Sequence, residues 1–289
     1  MSEYAIRVNN LCKKYKEFSL DNISFELPKG YVMGFVGPNG AGKSTTIKCI
    51  MSLAGFESGS IEILGLDNRK HEIDVKQKIG YVSEEQHFYE DMTVRWTGNF
   101  VKQFYSNWDI DYFNDLIYKY NLTGSKKIKE LSKGMKMKLS LALALSHHPE
   151  FLILDEPTAG LDPVARSQFL DILLELVSEK NCSILFSSHI TEDMEKIADF
   201  ITVIKDGNIL LSQEKDDLLQ KWKLITVDSN FYTKEMHLGL VGLKKGKYSY
   251  SGVSQNWELW TEKFYNTYPD GQAVLENVTL SEFVMRILL

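Results

Sequence analysis

Two carboxylates at the end of an apolar run are the residues of this sequence best suited to catalysis. Asp155 and Glu156 follow residues 151–154, which read FLIL and predict a buried strand. Acids at a strand end lie at the edge of a sheet, where one can hold a divalent cation while the other polarises an attacking water. The alternative is a pair of solvated loop acids. Pro157 and the loop described next favour the catalytic interpretation.

A glycine-rich loop upstream is suited to binding phosphates. Residues 35–46 read FVGPNGAGKSTT and contain the complete G-x-x-x-x-G-K-[ST] spacing between an apolar run and a segment with helical periodicity. We expect backbone N–H groups to surround the phosphates, Lys43 to reach the β- and γ-phosphates, and the Ser44 hydroxyl to bind Mg²⁺. The loop residues expected at a bound nucleotide are Gly37, Asn39, Gly40, Ala41, Gly42, Lys43, Ser44, Thr45 and Thr46.

A second anion-binding feature precedes the acidic strand. Ser132 and Gly134 open a predicted long helix that leads directly into residues 151–154. The start of a helix presents free backbone N–H groups and the positive end of its dipole. The chain therefore carries two phosphate-binding features, separated in sequence by a region that we predict to be helical.

The strands and helices that must position these residues are predicted from the apolar periodicity along the chain. The predicted strands lie at 5–8, 22–27, 31–36, 60–64, 78–82, 151–154, 183–187, 200–204 and 208–211. The predicted helices lie at 43–54, 94–105, 112–120, 135–146, 164–179, 191–198 and 280–289. We expect the strand at 183–187 to lie beside the strand at 151–154.

Two domains are expected from this pattern. Residues 1–219 form the larger one, with a helical subdomain at about 84–150, and residues 220–289 form a small accessory domain of mixed strands and a final helix.

Composition favours a large intracellular enzyme. The chain has 289 residues, of which 44% are hydrophobic, enough for a substantial core. Its three cysteines, Cys12, Cys49 and Cys182, are odd in number and widely spaced, which indicates a reducing cytosolic setting rather than a disulfide framework. A net charge of −6 argues against nucleic acid as the main partner. No apolar stretch approaches the roughly 18 residues of a membrane span.

The order of the motifs is similar to that in the ATP-binding subunits of ATP-binding cassette (ABC) transporters. GPNGAGKST resembles the phosphate loop of that family, LSKGM its signature motif, and FLILDEP its Walker B strand. TAGLD resembles the D-loop, and SSHI, with His189, the switch histidine. The match covers roughly residues 4 to 215. LSKGMKMKLSLALALSHHPE and the tail NVTLSEFVMRILL are more narrowly similar to bacterial ABC-2 type exporters.

This resemblance implies both a fold and a reaction. The fold is an α/β P-loop NTPase core with a RecA-like mixed sheet, an antiparallel β subdomain, an α-helical signature subdomain and a small α+β C-terminal extension. The reaction is ATP hydrolysis with Mg²⁺ as cofactor. Glu156 would polarise the attacking water, His189 would sense the γ-phosphate, and Asp155 would hold the metal ion together with Ser44.

Two positions depart from the family pattern. The family's glutamine after a strand such as IGYV falls here at Glu84, to which we give the catalytic and metal-binding role. A carboxylate can ligate Mg²⁺, but it adds negative charge beside three phosphates when the metal is absent. Gln86 is the alternative if the loop shifts. The signature reads LSKGM where LSGGQ is more frequent, so Lys133 replaces a glycine and Met135 replaces an amide.

Two further residues have a structural alternative beside the functional one. Tyr15 matches the position where the family stacks an aromatic ring on adenine, although it could pack into the core instead. Asp162 could be an acid at the start of the following helix. The resemblance adds a contact across a dimer interface, and both roles are compatible.

Two phosphate-binding features in one chain predict a dimer. The helical subdomain separates them, so a single chain cannot easily place both on one ATP, whereas two chains arranged head to tail can. Each ATP would contact one protomer's phosphate loop and the other protomer's Ser132 and Gly134. The expected partners are a second ATPase subunit, identical or related, and transmembrane permease subunits that dock near residues 84–105. The chain would then lie at the inner face of the cell membrane, held there by the permease.

Other functions share many of these motifs. Soluble ABC-type ATPases act in translation or DNA repair, but they usually carry two cassettes or long coiled-coil insertions. This chain has one cassette and no heptad stretch. An importer ATPase would share every catalytic residue, and only the style of the signature and the tail favour an exporter.

Overall fold

The computed structural model describes residues 3–180, 182–233 and 239–289. The strands are β1 (Tyr4–Lys14), β2 (Ser19–Pro28), β3 (Val32–Val36), β4 (Ser58–Ile63), β5 (Leu66–Asp67), β6 (Ile79–Val82), β7 (Phe151–Asp155), β8 (Ser183–Ser188), β9 (Phe200–Lys205), β10 (Asn208–Glu214), β11 (Lys223–Asp228), β12 (Val241–Lys245), β13 (Ser249–Ser254) and β14 (Ala273–Asn277). The helices are α1 (Lys43–Ile50), α2 (Glu72–Lys78), α3 (Val94–Val101), α4 (Ile110–Lys119), α5 (Lys133–Leu145), α6 (Pro163–Lys180), α7 (Thr191–Ile197), α8 (Lys215–Lys221), α9 (Trp257–Thr267) and α10 (Leu280–Leu288).

The central sheet brings the functional strand ends to one edge. Its order is β10-β9-β3-β8-β7-β6, and all neighbouring pairs are parallel except β9 and β10. β7 and β8 pair in register, with Asp155 opposite Ser187, as the sequence predicts. The fully buried runs VMGFV and FLILD explain why β3 and β7 occupy the interior of a parallel sheet. The carboxyl ends of β3, β7 and β8 therefore meet beside the glycine-rich loop.

A second, antiparallel sheet covers the amino-terminal part of the chain. Its order is β2-β1-β4-β5. Alternate residues of β2, such as Ile23, Phe25 and Leu27, are buried, as expected for a strand with one covered face. They pack with Phe35 of β3 and Ile47 of α1 in one hydrophobic cluster. This cluster fixes the sheet against the strand and the helix that flank the glycine-rich loop.

The helical region lies between β6 and β7, as predicted. Ser132 caps α5 by accepting a hydrogen bond from the Met135 N–H at 3.2 Å. The apolar stretch of α5 packs with Phe113 of α4 and with β7 in the main hydrophobic cluster. Burial of this stretch fixes α5, which begins at the signature motif, against β7, which ends at Asp155.

The carboxyl-terminal part forms a third sheet with the order β12-β13-β11-β14. Trp260 and Phe264 of α9 pack on one of its faces with Ile225 and Val227. Helix α10 is different, because its Leu280 and Phe283 belong to the main cluster, and the Phe283 ring lies 5.0 Å from that of Trp222. The final helix therefore joins the small sheet to the main core.

The expected fold class is confirmed, since the mixed sheet, the antiparallel sheet, the helical region and the α+β extension are all present. The prediction omitted α2, α8 and the two-residue strand β5 within a region expected to be strand-rich or irregular. The predicted helix at 94–105 ends earlier, with α3 followed by a 3-10 turn at Lys102–Phe104. Across the described ranges, none of the helices has both the length and the apolar character needed to cross a bilayer.

Candidate nucleotide-binding and catalytic site

The glycine-rich loop has a shape that requires glycine at two positions. Gly42 has a φ of 115°, and a Cβ there would lie 2.6 Å from the side chain of Leu20. A Cβ on Gly37 would lie 2.2 Å from the carbonyl oxygen of Ile204. The loop is thus held between β2 and β9, and it leads directly into α1.

A cavity of about 500 Å³ lies above this loop and the strand ends. Its wall combines backbone of the glycine-rich loop with charged side chains from other parts of the chain. The lining residues are Phe18, Asn39, Gly40, Gly42, Lys43, Ser44, Thr45, Glu84, Glu156 and His189. The structure therefore brings most of the predicted loop residues, the carboxylates of Glu84 and Glu156, and His189 into one site.

Lys43 is buried at the floor of the cavity, with 5% of the residue exposed. Its Nζ donates hydrogen bonds to the carbonyl oxygens of Gly37, at 2.8 Å, and Pro38, at 3.2 Å. The same atom lies 3.1 Å from Oε1 of Glu156. A buried ammonium needs such partners, because an uncompensated charge in the interior is costly. The cation is therefore held where anionic phosphates would enter.

Asp155 forms the centre of a hydroxyl cluster. Its Oδ1 accepts hydrogen bonds from Ser187 Oγ at 2.7 Å and from Ser44 Oγ at 3.2 Å. Burial raises the pKa of Asp155, although the two hydroxyl donors oppose that shift. A divalent cation would favour the ionised carboxylate, and this set of hard oxygen ligands suits Mg²⁺. The predicted pair Ser44 and Asp155 is thus brought together.

Glu156 and His189 contact each other directly. His189 Nδ1 lies 2.8 Å from Oε2 of Glu156, and since an ionised carboxylate can only accept, Nδ1 carries the proton. Glu156 is 5% exposed, whereas the side chain of His189 is 43% exposed and faces the cavity. The other ring nitrogen of His189 is therefore the one left to face a ligand.

Three predicted loop residues do not line the cavity. Gly37 and Ala41 are buried beneath the loop, where the Ala41 carbonyl accepts a hydrogen bond from Gly207 N–H. The Thr46 side chain is also fully buried, and its Oγ1 donates to the Gly42 carbonyl at 2.9 Å, so contact of Thr46 with a nucleotide stays a prediction. The Thr46 hydroxyl lies on the inner side of α1 and finds its hydrogen-bond acceptor in the preceding turn.

The predicted adenine-binding position is less well defined. Tyr15 is 51% exposed in the turn between β1 and β2, so it is not a core residue. Lys13 Nζ lies 5.0 Å from the centre of its ring. Phe18, three positions after Tyr15, lines the cavity. Stacking of Tyr15 on a base stays a prediction.

Glu84 and Gln86 point to different places. Glu84 lines the cavity with Lys43 and Ser44. Gln86 Nε2 lies 3.3 Å from the sulfur of Met137, and the residue lines a separate groove of about 230 Å³ beside α3 and α5. Of the two alternatives, Glu84 has the position suited to phosphate or metal.

The signature residues lie away from the cavity. Among the described residues, its wall contains none of Ser132, Lys133 and Gly134. A Cβ added to Gly134 would lie 3.3 Å from Ala165 of α6, and Lys133 extends over Gly160. Asp162 Oδ1 accepts hydrogen bonds from the N–H groups of Val164 and Ala165, each at 3.0 Å, so it does stabilise the start of α6.

The comparisons with known proteins agree with this geometry. Residues 20–159 match the family model described as ABC transporter. The chain is 32% identical to the ABC transporter ATP-binding protein YtrB of Bacillus subtilis, with 77% of each chain covered. It is 36% identical to the lantibiotic transport ATP-binding protein SrtF of Streptococcus pyogenes, covering 73% of this chain and 91% of the relative.

Two further likenesses extend the comparison. The bacitracin transport ATP-binding protein BcrA of Bacillus licheniformis is 34% identical, with 71% of this chain and 68% of the relative covered. Among solved structures, one described as the ATP-binding subunit of an ABC transporter superimposes with a TM-score of 0.67 at 27% identity. That match covers 75% of this chain and 92% of the solved chain.

Proposed function

This chain belongs to the ABC transporter family as an ATP-binding subunit with ATPase activity, and from that premise we propose that it powers export through separate membrane subunits. The relatives named for bacitracin and lantibiotic transport support an exporter of peptide-like antibiotics over an importer. The observation that carries the catalytic part is the contact between Glu156, Lys43 and His189 at the wall of one cavity.

Each of these side chains has a role that follows from its position. Lys43 is a buried cation beside the loop N–H groups, so it would bind the β- and γ-phosphates. Glu156 is a fixed carboxylate acceptor that can orient a water for attack on the γ-phosphorus and accept its proton. His189 is hydrogen-bonded to that carboxylate and would contact the γ-phosphate with its second ring nitrogen.

Mg²⁺ would be held by Ser44, Asp155 and, in our assignment, Glu84. When bound, it supplies positive charge that screens the phosphate oxygens. The hydrogen bonds that Asp155 accepts from Ser187 and Ser44 keep its carboxylate in place for that purpose.

We infer that two such chains form one catalytic unit. Ser132 and Gly134 do not line the cavity of their own chain in the part that the structure describes, yet Ser132 begins a helix of thirteen residues. Such a helix start suits a phosphate. A second protomer, identical or related, would present these residues to the nucleotide of the first, with Asp162 near the interface.

The membrane partner would dock on α3. Tyr89, Trp96, Phe100 and Phe104, hereafter the aromatic stripe, contact one another with ring centroids 5.2 to 5.8 Å apart. Tyr89 and Phe104 are 63% and 62% exposed, which is unusual for clustered large apolar rings. A short amphipathic helix of a permease subunit fits this surface. Glu84 lines the nucleotide cavity and lies five residues before Tyr89, so the segment between them would connect the cavity to the aromatic stripe. The protein would work at the inner face of the membrane.

We propose the division into residues 1–219 and 220–289 as functional as well as structural. The first part contains every residue assigned to nucleotide binding, including the helical subdomain at about 84–150. The second part would be an accessory unit, tied to the first by α10.

Replacement of Glu156 by glutamine tests the ATPase cycle. Glu156→Gln keeps the size of the side chain but removes the acceptor that activates water, so turnover should fall by about 100-fold or more. ATP should then accumulate in the closed dimer, seen as a shift from monomer to dimer on gel filtration with ATP and Mg²⁺. Wild-type protein with ADP is the control. A variant that stays monomeric with saturating ATP, both alone and with its membrane subunits, contradicts the proposal.

A further inference from the structure

Asp193 is a buried carboxylate that links three parts of the catalytic site without touching the cavity. It lies in α7, which begins two residues after His189, and it is 1% exposed. Its Oδ2 accepts a hydrogen bond from Thr158 Oγ1 at 2.7 Å. Its Oδ1 accepts one from Arg166 Nε at 2.6 Å. Both acceptor atoms are thus used by side chains from another segment of the chain.

The two donors flank the loop that follows Glu156. Thr158 is two residues beyond Glu156 and is 1% exposed. Arg166 lies in the first turn of α6, where its backbone N–H donates to the Asp162 carbonyl at 2.9 Å. The carboxylate therefore contacts residues 156–162 directly at Thr158 and, through Arg166, indirectly at Asp162. This segment begins with the catalytic glutamate.

The ring of His189 has few contacts of its own that fix its position. Its ring is 43% exposed, and its side-chain hydrogen bond is with Glu156 itself. Helix α7 has only seven residues, too few to be stable without tertiary contacts. The buried ion pair of Asp193 with Arg166, together with the hydrogen bond from Thr158, allows only one placement of α7. In any other placement the buried charge of Asp193 would be unpaired.

We propose that Asp193 is a positioning residue for ATP hydrolysis, which keeps His189 and residues 156–162 in one fixed arrangement. The inference rests on the proposed function. A displacement of residues 156–162 by a second protomer would be passed through Thr158 and Asp193 to α7, and from there to His189. Asp193 would thereby couple closure of the dimer to the geometry of the reacting groups.

The first test is Asp193→Asn in the full-length protein. The amide keeps the shape of the side chain, but its NH₂ group would face one of the two donors, Thr158 Oγ1 or Arg166 Nε. The substitution also removes the negative charge opposite Arg166. Small misplacements of catalytic groups cost about 10- to 100-fold in rate. We expect kcat to fall by that factor, while KM for ATP changes by less than about threefold, since Lys43 and the loop are untouched.

Matched variants separate positioning from general destabilisation. Thr158→Val removes only the hydroxyl that Asp193 accepts and should lower kcat in the same way, whereas Thr158→Ser keeps it and should retain activity. Asn68→Ala provides a stability control, because Asn68 is 1% exposed and donates to the carbonyls of Cys49 and Ile50 at the far end of α1. It should lower the melting temperature and leave kcat unchanged.

The double variant gives the sharpest outcome. If Thr158 acts through Asp193, Asp193→Asn with Thr158→Val should be no slower than Asp193→Asn alone. A kcat for Thr158→Val within twofold of wild type overturns the inference, and this holds even if Asp193→Asn does not fold. Multiplied effects in the double variant also overturn it. Failure of the proposed function is distinguishable, because the wild-type protein would then show no ATP turnover.

Discussion

Glu156 occupies a backbone conformation that a glutamate rarely adopts. Its φ is 47°, in the left-handed region, which costs about 1 to 3 kcal/mol for a residue with a side chain. Its N–H donates to Ser187 Oγ at 3.0 Å, its carboxylate accepts from His189, and Lys43 lies beside Oε1. These contacts from β8 and from the glycine-rich loop stabilise the conformation and direct the carboxylate into the cavity, away from Asp155.

Glu84 is the residue at which the charge of the cavity can be changed with least disturbance. It is exposed at the cavity wall, where its carboxylate would lie near the phosphates. Without metal, Glu84→Gln removes this repulsion and should tighten ATP binding by about two- to tenfold at low ionic strength. With Mg²⁺ the gain should shrink or reverse, because a metal ligand is lost. Calorimetric titration with and without chelator measures both values.

Glu85→Gln is the matched control for this prediction. Glu85 is the neighbouring carboxylate, its side chain is 81% exposed, and it lies 3.5 Å from His87 rather than at the cavity. Its replacement changes the net charge equally and should leave ATP affinity unaltered. Equal effects of the two substitutions would mean that Glu84 acts only through net charge and is not placed at the phosphates.

Residues whose motif and strand position coincide could be found from the sequence. Asp155, Glu156 and His189 follow strands that the apolar pattern predicts, and parallel strands place their ends at one edge. Asp193 and Thr158 were missed because their contact joins helix α7 to a turn that lies 35 positions earlier in the chain. For Thr46, the motif gives the position in α1 but does not show which side of the helix faces the core.

Among the elements, those with a strong apolar pattern were predictable and those without were not. α2 buries only Val75, and α8 buries only Leu218, so neither has the repeated apolar spacing that signals a helix. Helices this short are held by tertiary contacts, which the local sequence pattern does not show. β3, in contrast, was predicted from its apolar run, but its place between β8 and β9 depends on pairing across more than a hundred residues.

Helix α3 should be the element that binds the membrane partner. Replacing Trp96 and Phe104 of the aromatic stripe by lysine puts two charges on the apolar surface. Loss of an aromatic anchor costs about 2 kcal/mol or more at such an interface. We expect the double variant to leave the membrane fraction of the expressing cells, while ATP turnover of the isolated subunit stays within about twofold of wild type.

Tyr118→Lys provides the comparison for this docking prediction. Tyr118 of α4 is 85% exposed and lies outside the aromatic stripe. The same lysine substitution there changes surface charge and hydrophobicity without affecting the proposed interface, so this variant should stay with membranes. Detachment of both proteins, or of neither, would contradict docking on α3.

The whole molecule has one main core that extends into its carboxyl-terminal sheet. Arg286 of α10 is 5% exposed and donates to the carbonyls of Gly242 and Ser251, each at 2.8 Å, and Thr191 Oγ1 donates to Ser281 Oγ at 3.0 Å. One helix therefore contacts both the small sheet and α7. Since α7 follows His189, residues 220–289 contact the segment that comes directly after this histidine.

The head-to-tail dimer predicts that two inactive variants restore one another. Lys43→Ala disables the phosphate-binding half of each site, and Ser132→Arg disables the half given to the other protomer, so each alone should lack turnover. In a mixed dimer one site receives both defects and the other receives none. Equal mixing makes half the dimers mixed, so about a quarter of the wild-type rate should return. If each chain held a complete site, every site in the mixture would carry one defect and the mixture would stay inactive.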